Sequence, residues 1–219
     1  MIFDEFIAGD VSPEDLDILL SKGFRHFGMY FFRYEYSILN EQPVRVLPLR
    51  INLSKFKLSK NQKKILKKNS DLKGVFNSAS VTREKEELFE IHKKRFKENI
   101  PESIYSYLSE EPATVPCRVM EFAVYDGDRL AAISFFDFGE KATSSIYAMF
   151  HPDYDKRSLG IYTMLKEILF SIENGLDYLY PGYAYRESSF YDYKKRFSAL
   201  EYYNWDEEWL LLKDESIAL

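Results

Sequence analysis

Residues 144–170, SSIYAMFHPDYDKRSLGIYTMLKEILF, constrain the chain more than any other stretch. A β-branched and aromatic run gives way to a polar, proline-marked turn, and then to apolar residues at helical spacing. The order is strand, loop, helix. Ser158 stands where it can cap the helix, and Leu159, Tyr162, Leu165, Ile168 and Leu169 recur at the three- and four-residue intervals of a buried face. Gly160 falls in the first turn. Such a helix end offers unpaired backbone N–H groups and the positive pole of a dipole to a phosphate or a developing oxyanion above the sheet. A glycine there also serves close helix-to-strand packing, so the spacing alone leaves both readings open.

The same rules organise the rest. Ser12-Pro13-Glu14-Asp15 opens a helix with Leu16, Leu19 and Leu20 as its buried face and Gly23 as its end. Residues 24–36 and 44–53 read as strands, the second interrupted by Pro48. Ser59-x-x-Gln62 is a capping box that starts a lysine-rich helix ending at Asn69. Residues 73–81 read as a strand, and an amphipathic helix follows from Thr82 through Glu98 with His92 on its surface side. A short helix is expected at 101–110. Strands at 118–125 and 130–138 flank the hairpin signal Asp126-Gly127-Asp128, and with 144–150 they make three consecutive antiparallel strands. Asn174-Gly175 ends the core helix, whose crossover sets the next strand, 176–180, parallel to its predecessor. A helix at 188–196 and a final strand at 201–212 complete an α+β chain: a mixed, mostly antiparallel sheet flanked by helices.

Composition narrows the function. With 219 residues, 46% hydrophobic and 30% charged, the chain suits one domain or two subdomains sharing a core, and excludes disordered and fibrous classes. The start, MIFDEFIAGD, has no basic segment before an apolar run, and no stretch is long enough to span a bilayer, so a cytoplasmic protein with no membrane partner is expected. Cys117 is the only cysteine, which excludes an internal disulfide and a thiolate metal cluster; in PCRVMEFAVYD it reads as a small buried hydrophobe. No metal is expected. The net charge is -5, yet Lys55, Lys57, Lys60, Lys63, Lys64, Lys67, Lys68 and Lys73 face only Asp71 within their segment. Such a run is a solvated face or a polyanion site.

The spacing Arg157-x-x-Gly160-x-Tyr162 after a strand resembles the phosphate-cradling loop of the GNAT acyltransferase fold, with Tyr162 where that loop has a second small residue. A phenol there would crowd a coenzyme pyrophosphate. The fuller pattern is more specific. Ser145-Ile146-Tyr147, His151-Pro152-Asp153, Arg157-Ser158-Leu159-Gly160, Tyr178-Leu179-Tyr180, Gly182-Tyr183 and Tyr193-Lys194-x-Arg196-Phe197-x-x-Leu200-Glu201 resemble the arginyl-tRNA and leucyl-tRNA protein transferases. So do Gly28-x-Tyr30, Pro48-Leu49-Arg50-Ile51 and Phe56-x-x-Ser59-Lys60-x-Gln62-Lys63. The likeness covers roughly residues 16–69 and 122–209. The cysteines of that family's N-terminal region are absent.

The resemblance implies a GNAT-like domain over residues 79–219 and a small α/β subdomain over 1–78. It implies transfer of Arg or Leu from aminoacyl-tRNA to the α-amine of an acceptor protein, one with an acidic N-terminal residue, without a cofactor. Backbone N–H groups around Ser158, Leu159 and Gly160 would hold the oxyanion or the terminal nucleotide. Asp153 would orient the attacking amine or relay its proton, or else order the loop. Arg50 would read the acidic residue, since a guanidinium pairs bidentately with a carboxylate. Tyr147, Arg157, Tyr162, Tyr183, Tyr193, Lys194 and Arg196 would bind substrates, the tyrosines serving equally well as core packing. Lys60, Lys63, Lys64, Lys67 and Lys68 would bind tRNA. An acyl-CoA-dependent N-acyltransferase and a non-catalytic tRNA-binding protein are the alternatives.

Overall fold

The computed structural model describes residues 1–97 and 99–212. The first half holds β1 (Phe3–Ile7), α1 (Pro13–Ser21), β2 (Arg25–Phe27), β3 (Tyr30–Tyr34), β4 (Tyr36–Leu39), β5 (Gln42–Asn52), α2 (Lys60–Lys68), β6 (Lys73–Ser78) and α3 (Arg83–Lys93). The second holds β7 (Val119–Asp126), β8 (Arg129–Phe138), β9 (Ala142–Phe150), α4 (Leu159–Glu173), β10 (Tyr178–Tyr185), β11 (Leu200–Tyr203) and β12 (Trp209–Leu211).

A nine-stranded sheet runs β12-β11-β5-β10-β9-β8-β7-β6, with β4 also on β5, and a three-stranded sheet runs β1-β3-β2. The pairing β9–β10 is parallel, as the helical crossover requires; the other described pairs are antiparallel. This is the mixed, mostly antiparallel sheet expected. The strands β5 and β6, before residue 79, belong to the same sheet as β7–β12. Successive residues alternate faces. Phe122, Val124, Ala132 and Phe136 join Leu159, Tyr162, Leu165 and Ile168 of α4 and Ile65 of α2 in one core. Ala123, Ile133, Phe135 and Met149 pack on Leu88 and Phe89 of α3 in another. No helix among the described residues is long and apolar enough to cross a membrane.

Local chemistry accounts for several element ends. Ser12 accepts from the Asp15 N–H at 3.1 Å, and Ser59 and Gln62 form the reciprocal capping box at 3.2 and 2.9 Å. Gly23 closes α1 with φ +83°. Asn40 and Glu41 both have positive φ and make the tight β4–β5 turn, which alternation alone does not reveal.

Several expectations fail for identifiable reasons. Pro48 does not interrupt β5, because the β11 pairing stops at Leu49 and asks nothing of the missing N–H. Thr82 makes no side-chain cap and α3 ends at Lys93; Glu98, its expected end, lies outside the described residues. The segments 101–110 and 188–196 form short 3-10 turns, Ile104–Ser106 and Phe190–Arg196, instead of helices. Residues 201–212 form the β11–β12 hairpin, turned through positive φ at Trp205 and Glu207. His92 is buried: its Nδ1 accepts from the Phe150 N–H at 3.1 Å, and burial pushes its pKa down to about 4.

A buried ion pair and the buried His92 make the fold testable. The Lys85 ammonium and the Glu121 carboxylate, both buried, meet at 2.6 Å. Lys85→Met should cost about 3–5 kcal/mol in urea unfolding, because it strands a buried charge, and Lys85→Met/Glu121→Gln should recover most of it. His92 titrates lower when folded than its ordinary 6.5, so its contribution is present above pH 6.5 and lost as pH falls toward 4. His92→Gln should therefore flatten the stability profile in that window; an unchanged difference between pH 7 and pH 4.5 would refute this.

Candidate active site

The strands β9 and β10 pair for three residues, Ala142–Ser144 against Tyr178–Tyr180, and then part. The next residue of β10 is Pro181, which has no N–H to give, and Gly182 follows with φ +93° at a register shift against β5. On the other strand a register shift against β8 lies between Ser145 and Tyr147. The crevice opens at the carboxyl ends of the one parallel pair of strands.

Two cations enter it. Arg25 reaches in from β2, and its Nη2 donates to the Ser145 carbonyl that the parting strands leave unpaired. Lys194, from the last 3-10 turn, donates to the Tyr183 carbonyl at 3.0 Å. A Cβ on Gly182 would collide with Arg25 Nη1 and lie 3.1 Å from Lys194 Nζ, so both charged heads rest against the same glycine. The two residues are 9% and 7% exposed. No carboxylate of the described residues lies within ion-pair distance of either cation, and Arg25 Nε has no partner among them. Burial and the neighbouring guanidinium push Lys194 well below the ordinary lysine range. Two like charges held this close repel each other, which is the second cause of the lowered Lys194 pKa.

Aromatic rings and one acid line the surroundings. Tyr183 donates to the Gly23 carbonyl at 2.7 Å, and the Arg25 guanidinium lies 5.9 Å from its ring centre. The Lys194 ammonium lies 4.9 Å from the ring of Tyr191. Burial pushes Tyr34 and Tyr193 up to about 12. Glu167 of α4, also buried, is pushed up to about 7 by burial, against a hydrogen bond from Ser145 Oγ at 2.5 Å.

The structure thus brings Tyr183, Tyr193 and Lys194 together and sets Tyr147 nearby on β9, its ring stacked on Tyr107 at 4.1 Å. Other expected residues lie elsewhere. Arg50 pairs with Glu201 at 2.6 Å, its guanidinium between the rings of Tyr178 and Trp209 at 4.0 and 4.5 Å. Its carboxylate is supplied by its own chain. Tyr162 packs in the core against Phe122, because it follows Leu159 on the sheet-facing side of α4; it does not crowd the helix end. Asp153 is exposed and bonded to Arg129 at 2.9 Å and through its N–H to His151, the loop-ordering alternative. Arg196 is exposed at the end of its 3-10 turn.

Ser158 does not cap α4. The chain arrives through the 3-10 turn Pro152–Arg157, which leaves Ser158 left-handed (φ 56°, ψ 43°) with its hydroxyl turned from the helix. The N–H groups of Leu159 and Gly160 consequently have no described protein partner. Beside this end lies α2. Arg157 forks onto Asp71 at 2.8 and 2.7 Å, Asn69 Nδ2 donates to the Arg157 carbonyl at 3.0 Å, and Lys68 Nζ to the Lys156 carbonyl. Lys60, Lys63, Lys64, Lys67 and Lys68 are all exposed.

One further cluster is closed. His26 Nε2, Cys117 Sγ and an Asp137 oxygen lie within 4.8 Å of one another, all buried. His26 Nδ1 faces the Gly28 carbonyl at 2.8 Å and Nε2 faces Asp137 at 2.9 Å, so both ring nitrogens donate. Although burial opposes it, the Asp137 carboxylate raises the His26 pKa. Burial pushes the Cys117 thiol up. A cation could enter only by displacing those protons.

Arg25, Glu167 and Tyr191 were not singled out from sequence. The available signal was a polar stripe, Thr163, Glu167 and Ser171, on the buried side of a helix whose other inward residues are apolar.

Comparison with known proteins gives the family. Residues 79–204 match the family described as arginine-tRNA-protein transferase, C terminus. An aspartate/glutamate leucyltransferase of Leptospira interrogans is 31% identical over 191 residues, covering 85% of this chain and 73% of that protein. One of Paracoccus denitrificans is 30% identical over 213 residues, covering 90% and 74%. Among solved structures, L-PGS from Bacillus licheniformis is similar with a TM-score of 0.45 and 14% identity, over 85% of this chain. The chain spans 55% of that structure's length. The family match covers more than half of the chain and includes β9, α4, β10 and the 3-10 turn that carries Lys194, while Arg25 lies outside it; the chain belongs to the arginine-tRNA-protein transferase family.

Proposed function

We propose that this protein moves an amino acid, leucine or arginine, from aminoacyl-tRNA to the N-terminal α-amine of an acceptor protein whose first residue is acidic. The observation that carries this beyond family membership is the seating of the lysine-rich α2 against the unpartnered N-terminal end of α4. It joins a surface suited to RNA phosphates to the two N–H groups best placed to receive an oxyanion.

The chemistry asks little of a base. An α-amine has a pKa of about 7.7–8.0, so an appreciable share is neutral at physiological pH. The neutral nitrogen attacks the ester carbonyl, and the negative charge developing on oxygen is held by the Leu159 and Gly160 N–H groups. The C–O bond to the terminal ribose then breaks, its oxygen taking up the proton that the nitrogen loses. Positioning and oxyanion stabilisation, each worth several kcal/mol, carry most of the acceleration. The relatives' names supply the acidic acceptor: they are aspartate/glutamate leucyltransferases. Because Tyr162 lies in the core, its bulk no longer argues against a nucleotide coenzyme; the preference for aminoacyl-tRNA rests on the family and on α2.

The direct test supplies charged tRNAs, and separately acetyl-CoA, with peptides beginning in Asp, Glu or Ala, and reads the mass added at the peptide N-terminus. One aminoacyl residue gained by Asp and Glu peptides from charged tRNA is expected; gain from acetyl-CoA alone would reject the reading. For α2, the triple change Lys60→Ala, Lys64→Ala and Lys68→Ala should weaken tRNA binding. It should also reduce the slope of log affinity against log salt by about 2–3, close to one unit for each phosphate no longer neutralised. An unaltered slope would remove α2 from the RNA surface.

A further inference from the structure

We propose that Arg25 and Lys194 are the recognition site for the side-chain carboxylate of the acceptor's first residue, a role that rests on the transfer reaction proposed above. Both heads lie against Gly182 in the crevice where β9 and β10 part, and neither has a carboxylate within ion-pair distance among the described residues. Asp137 is committed to His26 and Glu167 accepts from Ser145. Each cation spends a donor on a backbone carbonyl, Ser145 for Arg25 and Tyr183 for Lys194. That fixes the heads and leaves further N–H groups, Arg25 Nε among them, for a guest.

The guest is an anion, and its shape is restricted. An internucleotide phosphate carries a sugar on both sides and needs a groove open at two ends. A side-chain carboxylate is a terminal group on a stem of one or two methylenes, and it needs only one way in to the two heads that rest against Gly182. The donor's aminoacyl head is excluded by sign, because its free ammonium would meet two cations. The acceptor's own carboxylate would satisfy them, and an amide of the same shape would leave both unpaired. A site built to hold a charged partner rejects the isostere that lacks it far more strongly than an apolar pocket rejects a missing methylene. Lysine burial acts in the same direction: an ammonium destabilised alone is restored beside a carboxylate.

The test measures binding, without tRNA, of peptides beginning in Asp, Glu, Asn or Gln to the wild-type protein and to Lys194→Met, and kcat/KM for the same peptides at saturating charged tRNA. Wild type should prefer Asp over Asn by about 30-fold or more, and Lys194→Met should remove most of that preference while leaving Asn within about threefold. Equal binding of Asp and Asn by the wild-type protein overturns the assignment without reference to any variant. So does a Lys194→Met protein that loses both peptides equally, or one whose KM rises for charged tRNA alone. Absence of transfer from every donor, with carboxylate-dependent binding intact, rejects the reaction and retains the site.

Discussion

The crevice between β9 and β10 depends on one interruption of a hydrogen-bond ladder. A parallel pair of strands would normally continue past Ser144 and Tyr180, but Pro181 cannot donate and Gly182 turns the chain through a positive φ. An unpaired carbonyl at Ser145 would be costly if buried alone. Arg25 resolves this by donating to it across a sequence distance of 120 residues. The same contact therefore props the strands apart, ties the small β1-β3-β2 sheet to the large one, and brings a cation to the centre of the crevice.

That coupling explains which parts were legible in sequence. The framework was, because it follows from local rules: the Ser12 and Ser59 caps, the Asp126-Gly127-Asp128 hairpin and the apolar stripe of α4 each specify their own element. Tyr183, Tyr193 and Lys194 stand out in sequence only through the family resemblance, and the structure sets them near one another. Arg25 was not, since an arginine in an aromatic strand has no local sign of where its head will lie. Glu167 was hidden for the opposite reason: one acid on an inward helix face reads as an exception to packing until the serine opposite it is placed.

The residues that moved away from the site show how context overrides residue type. Arg50 and Arg25 are both arginines in strands near aromatic rings. The β5–β11 register puts Glu201 opposite Arg50, which consumes its charge within the fold; no such acid stands opposite Arg25. Tyr162 and Tyr193 differ likewise. A helix opening at Leu159 must turn Tyr162 toward the sheet, whereas the 3-10 turn leaves Tyr193 half-buried beside Lys194. Between β3 and β5 the chain is turned by Asn40 and Glu41, and Glu35 pairs with Arg45 at 3.2 Å.

The chain carries a net charge of -5 and gathers cations into two groups that obey different physics. The lysines of α2 are exposed, so their attraction for phosphate is long-ranged, additive and screened within about 8 Å at physiological ionic strength. That suits capture of an RNA whose sequence need not be read. Arg25 and Lys194 are buried, where screening by salt is weak and an unpaired charge is expensive. On the assignment proposed here, RNA capture follows salt while the choice of acceptor does not. Affinity for the donor and selectivity for the acceptor can then be altered separately, one on the face of α2 and the other at the parting of β9 and β10.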